Sequence, residues 1–330
     1  MADTDKDLVY TPGQVSELTL KEIERRASDK SPGILFGLHN VDSKLVPLRP
    51  GELTVLLGRP SMYKSGLAQW WVRKIAEQQL TKSDDKIALY VTTEMAIEEL
   101  GLYDLSVGAR LNASVVARGE LTGDMVEQLE RAAVRRASLP LWLLGHSLAL
   151  RRKRLSINMF TIERALFWIE DKMSFTAKII FIDYLNLLDS SREAGQSPSG
   201  DRRYDMMEVV KCAKDMALHL GCPVVLLAQA KREVDQRDWK LPEMADGMET
   251  AAIEHYADKI MSVWYPKVSN PDESITSPSG KVYRVTDNLL FLGLLKQKNG
   301  PSGGSWPLYV DPAKNEIAML AEDAPDGRYR

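Results

Sequence analysis

Five short runs made mostly of apolar residues recur along the first 230 positions. They cover residues 53–57, 87–91, 139–144, 178–182 and 223–227. Between them lie segments whose apolar residues return every three to four positions. One opens at Lys64, and others span 97–108, 122–136, 155–172 and 204–220. In 155–172 the repeating positions are Phe160, Ile162, Leu166 and Ile169; in 204–220 they are Met206, Val209, Val210, Ala213, Met216, Ala217 and Leu220. That period predicts amphipathic helices. Runs that are apolar throughout, rather than alternating, predict strands covered on both faces, and strands alternating with helices predict a parallel sheet.

The later pattern is different. Residues 231–250 are polar and read as a loop. Residues 259–265, 282–286, 289–296, 306–310 and 317–320 read as strands with no long helix between them, which predicts an antiparallel extension of the sheet. At the other end, residues 1–10 read as loosely held. A helix is expected over 16–26, capped by Thr19 and Glu22, with Val15, Leu18 and Ile23 as a weak stripe and Pro32-Gly33 as its end. The expected division is a tail and linker helix over 1–36 and one α/β domain over 37–330.

Composition narrows the class. The 330 residues are 44% hydrophobic and 27% charged, as in a soluble globular chain able to bury a core. No apolar run is long enough to span a bilayer and no signal-peptide pattern opens the chain, so a membrane partner is not expected. Two cysteines, Cys212 and Cys222, and four histidines lack metal-ligand or disulfide spacing, which fits a reducing, cytoplasmic setting. The net charge of −3 excludes a surface that attracts nucleic acid everywhere, and leaves room for a local basic channel.

The candidate chemistry gathers at strand ends. After the first apolar run comes GRPSMYKSG: Gly58, Arg59, Pro60, Ser61, Met62, Tyr63, Lys64, Ser65 and Gly66. This is the outline of a phosphate-binding loop. Backbone N–H groups and a helix N-terminus would cradle phosphates, Lys64 would reach the β- and γ-phosphates, and the Ser65 hydroxyl would hold Mg²⁺. The pattern asks for Gly where Tyr63 stands; a residue with a Cβ is expected to keep φ negative there and to turn its ring away, toward a neighbouring subunit. Glu94 follows the second run and is placed to polarise a water, or else to favour a helix N-terminus. Asp183 follows the fourth run and is placed to hold Mg²⁺, or to cap a turn. Gln229 ends the fifth, as a γ-phosphate sensor or a strand-end hydrogen bond. In open α/β sheets ligands bind at this edge of the strands. Lys296 and Lys298 end a later strand on one side of it, fit to act on a nucleotide in trans or simply to be solvated. The cluster Arg151-Arg152-Lys153-Arg154 suits phosphates, an acidic partner or plain solvent.

The stretches GRPSMYKS, TTEM, FIDYLNLL, VVLLAQAKREVDQR, ADGMETAAIEHYADKIM and KQKNGPSGG occur in an order and spacing that resembles DnaB-like replicative helicases, in their C-terminal RecA-type ATPase domain. The resemblance covers residues 37–320 and implies a RecA-like P-loop fold. It implies ATP and Mg²⁺ as ligands, with Lys64 and Ser65 as the phosphate-loop pair, Glu94 as catalytic glutamate, Asp183 as Mg²⁺ aspartate and Gln229 as sensor. Lys296 and Lys298 match the trans-acting cations. The resemblance further implies a hexameric ring, single-stranded DNA in its channel gripped near Lys231, Arg232, Arg237 and Glu249, a linker helix on the adjacent subunit, and primase or loader partners. Four departures stand out: Tyr63 for Gly, Lys298 for Arg, Met248-Glu249-Thr250-Ala251 in place of an Arg-Glu-Ser-Gly run, and no counterpart of the family's N-terminal domain. Two other readings stay open beside a helicase: a nucleotide-gated assembly or recruitment factor, and a scaffold with a dead nucleotide site.

Overall fold

The computed structural model describes residues 9–28, 33–81, 84–149, 156–185, 202–248, 250–271 and 273–320. The cluster at 151–154, the polar loop at 190–200 and Glu249 lie outside them. The chain divides into two units, residues 1–34 and 35–330.

The first unit is built around α1 (Pro12–Ser28), and its helix starts four residues earlier than expected. Its cap is Thr11, not Thr19. Thr11 Oγ1 accepts from Gln14 N and Gln14 Oε1 accepts from Thr11 N, at 3.3 and 2.8 Å. Pro12 has no N–H to lose and fits the first helical position, so the box forms at Thr11-Pro12-Gly13-Gln14. Val15, Leu18, Leu20 and Ile23 are all exposed.

The second unit holds the sheet. Its elements are α2 (His39–Asp42), β1 (Leu53–Gly58), α3 (Lys64–Leu80), β2 (Lys86–Thr92), α4 (Ile97–Ala109), α5 (Ala113–Ala117), α6 (Gly123–Ser138), β3 (Leu141–Leu144), α7 (Met159–Met173), β4 (Thr176–Asp183), α8 (Arg202–His219), β5 (Val224–Gln229), α9 (Thr250–Tyr256), β6 (Lys259–Trp264), α10 (Pro266–Ser269), β7 (Ser274–Thr276), β8 (Val282–Arg284), β9 (Leu289–Gln297), β10 (Ser305–Asp311) and β11 (Glu316–Met319). Nine strands form one sheet in the order β11-β10-β9-β6-β1-β5-β4-β2-β3. β6, β1, β5, β4, β2 and β3 run parallel, and β9 to β11 add on antiparallel beyond β6.

Burial explains the order. All six residues of β1 and of β6 are buried, as central strands covered on both faces require, Thr54, Lys259 and Ser262 among them. One face packs against α7, α8 and α9 through residues such as Ile162, Leu166, Val210, Ala213 and Ile253. On the other, Trp71 of α3 meets Phe36 at 4.8 Å and Phe181 edge-on at 5.5 Å, and donates its indole N–H to Leu35 O. A second core of Trp264, Phe291, Tyr283 and Leu241 lies against the antiparallel extension.

Three expectations change. Residues 282–286 do not join the main sheet: β8 pairs with β7 in a separate hairpin, whose alternating burial leaves one face wet. The polar stretch 231–250 contains two short helical turns, at Arg232–Gln236 and Met244–Asp246. It is closed by an antiparallel bridge between Ala230 and Gly247. α9 follows directly, too short to show a helical period but anchored by buried Ala252 and Ile253.

Candidate nucleotide site

Register brings the strand ends together. Gly58 pairs with Gln229 across β1 and β5, and Thr92 pairs with Asp183 across β2 and β4. A cavity of about 390 Å³ opens there, lined by Pro60, Ser61, Tyr63, Lys64, Ser65, Gly66, Glu94, Asp183, Tyr184, Gln229 and Tyr265. Five residues singled out from the sequence for catalysis or metal binding thus share one cavity.

The loop from Gly58 to Lys64 turns the chain from β1 into α3. Gly58 is required by close approach: a Cβ there would meet the Lys64 stem at 2.7 Å. Lys64 Nζ donates to Arg59 O at 2.8 Å. Burial pulls its ammonium down to about 8; the charges of Asp183 and Glu94 oppose this and Arg59 adds to it. Arg59 and Met62 were expected in the cradle as loop residues through their backbone N–H groups, and their side chains do not line the cavity. Arg59 turns away to Asp235 and to Ala230 O, and Met62 is buried in the core of the antiparallel extension. An arginine beside a lysine is repelled by it, and a thioether gains from burial.

Tyr63 departs from expectation. Its φ is +67° with ψ +20°, the left-handed region that a glycine would occupy without strain. For a residue with a Cβ that conformation costs about 1 kcal/mol. The turn into α3 demands it, and compensation comes from the side chain. The ring does not fill the phosphate site; it lies over Gly66, where a Cβ would come within 2.7 Å. It packs beside Tyr265 at 5.8 Å, and its hydroxyl donates to Asn315 Oδ1 at 2.7 Å. These partners belong to the same chain, not to a neighbouring one. Burial pushes the Tyr63 phenol far above its ordinary value, so it remains a donor.

Asp183 is buried at the end of β4. Its Oδ2 accepts from Tyr90 OH at 2.6 Å, while Oδ1 is buried with no hydrogen-bond partner. Burial raises the Asp183 pKa, against the opposing effects of the Tyr90 hydroxyl, the Ser65 hydroxyl and the Lys64 charge. A buried carboxylate oxygen left unbonded is costly in a protein that needs it only for structure. Beside a hydroxyl at a helix N-terminus, it fits an oxygen-seeking divalent cation such as Mg²⁺, which takes one or two protein ligands and keeps the rest for water and phosphate.

Glu94 is exposed on the cavity rim. It precedes α4 by three residues, and the acids of that helix's first turn are Glu98 and Glu99. The segment carrying it is pinned to β4: Thr93 N and Thr93 Oγ1 both donate to Asp183 O, at 2.9 and 3.1 Å.

The remaining candidates lie elsewhere. Lys296 donates to Glu254 O and Ala257 O, at 2.6 and 2.8 Å, where α9 presents its unpaired carbonyls. Lys298 pairs with Asp258 Oδ1 at 2.7 Å. Both cations converge on residues 254–258 and neither lines the cavity of its own chain. Lys231 donates to Ala245 O, and Arg237 grips Asp246 through two bonds of 2.7 and 2.6 Å. These two bond within the 231–247 loop, and Arg232 is the exposed one of the three. Tyr90, Tyr265 and Asn315 were not singled out from the sequence. Tyr265 ends a strand at the ligand edge, a signal that was legible; Tyr90 lies inside an apolar run and Asn315 in an ordinary turn.

Parallel strands that deliver a glycine-opened loop, a Lys-Ser pair, an acid and a buried aspartate to one edge define a RecA-like P-loop NTPase domain. The model of the DnaB-like helicase C-terminal domain matches residues 33–313, and the chain belongs to that family. It is 28% identical over 313 residues to the replicative DNA helicase DnaB of Rickettsia prowazekii, covering 89% of this chain and 59% of that protein. It is 25% identical over 271 residues to the DnaB of Geobacillus stearothermophilus, covering 82% and 53%. The chain thus spans somewhat under three fifths of the length of such relatives. Among solved structures, an ATPase domain superposes with TM-score 0.73 at 19% identity, over 95% of this chain and all of that one. A DnaB-like replicative helicase, described with its interactions with primase, gives 0.71 at 19%, over 95% and 68%.

Proposed function

We propose that this chain is the ATP-hydrolysing motor of a replicative DNA helicase, acting in the cytoplasm on single-stranded DNA as a ring of identical subunits, most simply a hexamer. The observation that carries it is the cavity at the strand ends, where Lys64, Ser65, Glu94, Asp183 and Gln229 meet around an unbonded buried carboxylate oxygen.

In this reading the loop N–H groups and the N-terminus of α3 receive the phosphates, and Lys64 leaves Arg59 O to meet the terminal two. Ser65 and Asp183 would hold Mg²⁺, which supplies charge neutralisation on the phosphate oxygens. Glu94 orients and deprotonates the attacking water, and Gln229 hydrogen-bonds the γ-phosphate at the end of β5, next to the 231–247 loop. Lys296 and Lys298, away from their own cavity, serve the nucleotide of the next subunit. α1 packs on a neighbour. Primase is the partner that one solved relative suggests, and a loader protein belongs to the same proposal.

The test is ATP hydrolysis by the assembled protein with and without single-stranded DNA, and unwinding of a forked duplex. DNA-stimulated turnover, lost in Glu94→Gln, is expected; an assembled sample with neither ATPase activity nor DNA binding would sink the reading. A second reading, a nucleotide-gated assembly factor, is favoured by the strained Tyr63 and by Lys298 being held on Asp258. It predicts ATP-dependent oligomers with slow turnover and no unwinding.

A further inference from the structure

Tyr63 makes contacts that a phosphate loop with Gly at this position would lack. Its hydroxyl donates to Asn315 Oδ1 at 2.7 Å, and Asn315 is itself buried, in the turn between β10 and β11. Asn315 has φ +47°, so both ends of this bond sit on left-handed residues. The Tyr103 hydroxyl of α4 is a further hydrogen-bond neighbour. The ring closes over Gly66, leaving no room for a Cβ, and Tyr265 packs beside it. One side chain therefore joins the phosphate loop to α4, which follows Glu94, to the end of β6, and to the turn between the last two strands.

We propose that Tyr63 is a positioning residue that straps the phosphate loop to Asn315 and so holds it in its phosphate-receiving shape before the nucleotide arrives. The proposal rests on reading the cavity as an ATP site. A left-handed residue with a Cβ tends to relax when nothing holds it, and relaxation here would rotate the Tyr63 N–H out of the cradle and shift Lys64 with it. The strap prevents this, and that is preorganisation in the usual sense: binding no longer has to order the loop. It also makes the turn between β10 and β11, remote in sequence, part of the determinants of nucleotide affinity.

The experiment compares wild type with Tyr63→Phe, Asn315→Ala, the double variant, Tyr63→Gly and Lys64→Ala. Mg-ATP affinity, KM and kcat are measured, with amide exchange of residues 58–66 in the ligand-free protein. Losing the bond to Asn315 is expected to raise KM about five- to tenfold with kcat within about twofold, and Tyr63→Phe, which also loses the Tyr103 hydroxyl as neighbour, should sit at the upper end. The double variant should lose less than the two single losses combined, because both remove the Tyr63–Asn315 bond. Exchange in 58–66 should speed up in Tyr63→Phe, which keeps the ring and hence the fold. Tyr63→Gly, which relieves the strain and removes the strap together, should bind more weakly than Tyr63→Phe. Wild-type KM and exchange in Tyr63→Phe and Asn315→Ala, with binding still abolished by Lys64→Ala, would overturn the strap and leave the ATP site standing. Tyr63→Gly binding as well as wild type would overturn it as well. A wild-type protein that does not bind Mg-ATP would overturn both.

Discussion

The Tyr90 hydroxyl donates to Asp183 Oδ2 over 2.6 Å, from the middle of one buried strand to the end of the next. The bond fixes the carboxyl so that its other oxygen, Oδ1, is the one left without a partner beside the Ser65 hydroxyl. It also favours the ionised form, against burial, which raises the Asp183 pKa. Outer partners of this kind commonly change metal affinity by about 10- to 100-fold when removed. Tyr90→Phe is therefore expected to weaken Mg²⁺-dependent ATP binding about tenfold, while metal-free nucleotide binding changes little. Titrating Mg²⁺ against a fixed ATP analogue measures it. An unchanged Mg²⁺ midpoint would mean that Tyr90 only fills space.

Asp258 stands between two lysines. Its Oδ2 accepts from Lys214 Nζ at 2.7 Å and Leu53 N at 2.8 Å, and its Oδ1 from Lys298 Nζ at 2.7 Å. Burial works to raise its pKa, and these bonds outweigh it and hold the carboxylate below its ordinary value. One acid with two cations leaves one cation to spare. Lys298 is the exposed one, at 53% against 17% for Lys214. Asp258→Ala should lower the unfolding free energy by about 3 kcal/mol, because it strands Lys214 near buried backbone. Lys298→Ala should lower it by less than about 1 kcal/mol, since Lys214 and Leu53 N keep Asp258 satisfied. Urea denaturation of the two variants separates them, and equal losses would contradict the asymmetry. The same asymmetry means that Lys298 can leave Asp258 at small cost, which the proposed trans role requires.

The parallel sheet was legible because β1, β2, β4 and β5 are short, nearly all apolar and spaced by helical periods. Their ends carried the site, so Lys64, Ser65, Glu94, Asp183 and Gln229 could be named before their geometry was known. What escaped was local or remote. The capping box of α1 hid behind Pro12, and α9 was too short to show a period. The left-handed Tyr63 followed from a loop shape that residue identity alone does not report. The bonds of Lys231 to Ala245 and of Arg237 to Asp246 escaped because those partners are not adjacent in sequence. Asn315 lies 252 positions from Tyr63, and no period or motif connects the two.

Lys259 is fully buried and pairs with Glu52, which also accepts from Arg49 N at 3.0 Å. Both residues flank the start of the central strands, one just before β1 and the other opening β6. Removing one partner leaves a charge in a dry place. Glu52→Ala is expected to destabilise the protein by about 3–5 kcal/mol. Replacing both, in Glu52→Leu with Lys259→Met, should recover most of that loss, since desolvation of two ions is exchanged for packing. Thermal melts of the single and double variants measure it, and a double variant as unstable as Glu52→Ala would show that the pair is needed for more than mutual neutralisation.

Glu98, in the first turn of α4, gathers the chain that leaves β3. It accepts from the Ser147 hydroxyl, from Leu148 N at 3.0 Å and from Ala149 N at 3.1 Å. Those bonds, the Ser147 hydroxyl first, hold its pKa down at about 2, below its ordinary value of 4.5. All three donors need the ionised carboxylate as acceptor, so the sign follows directly. The contribution to stability is complete above the ordinary glutamate pKa and is lost as pH falls from 4.5 through about 2. The amides of Leu148 and Ala149 should therefore stay protected at pH 5 and become exchangeable as the pH falls toward 2, before any unfolding of the sheet. Glu98→Gln should leave them weakly protected at every pH, because an amide oxygen is a poorer acceptor than a carboxylate. Hydrogen exchange followed between pH 5 and 2 tests both expectations. Protection lost already around pH 4.5 in the wild type would mean that the three bonds do not hold the carboxylate ionised.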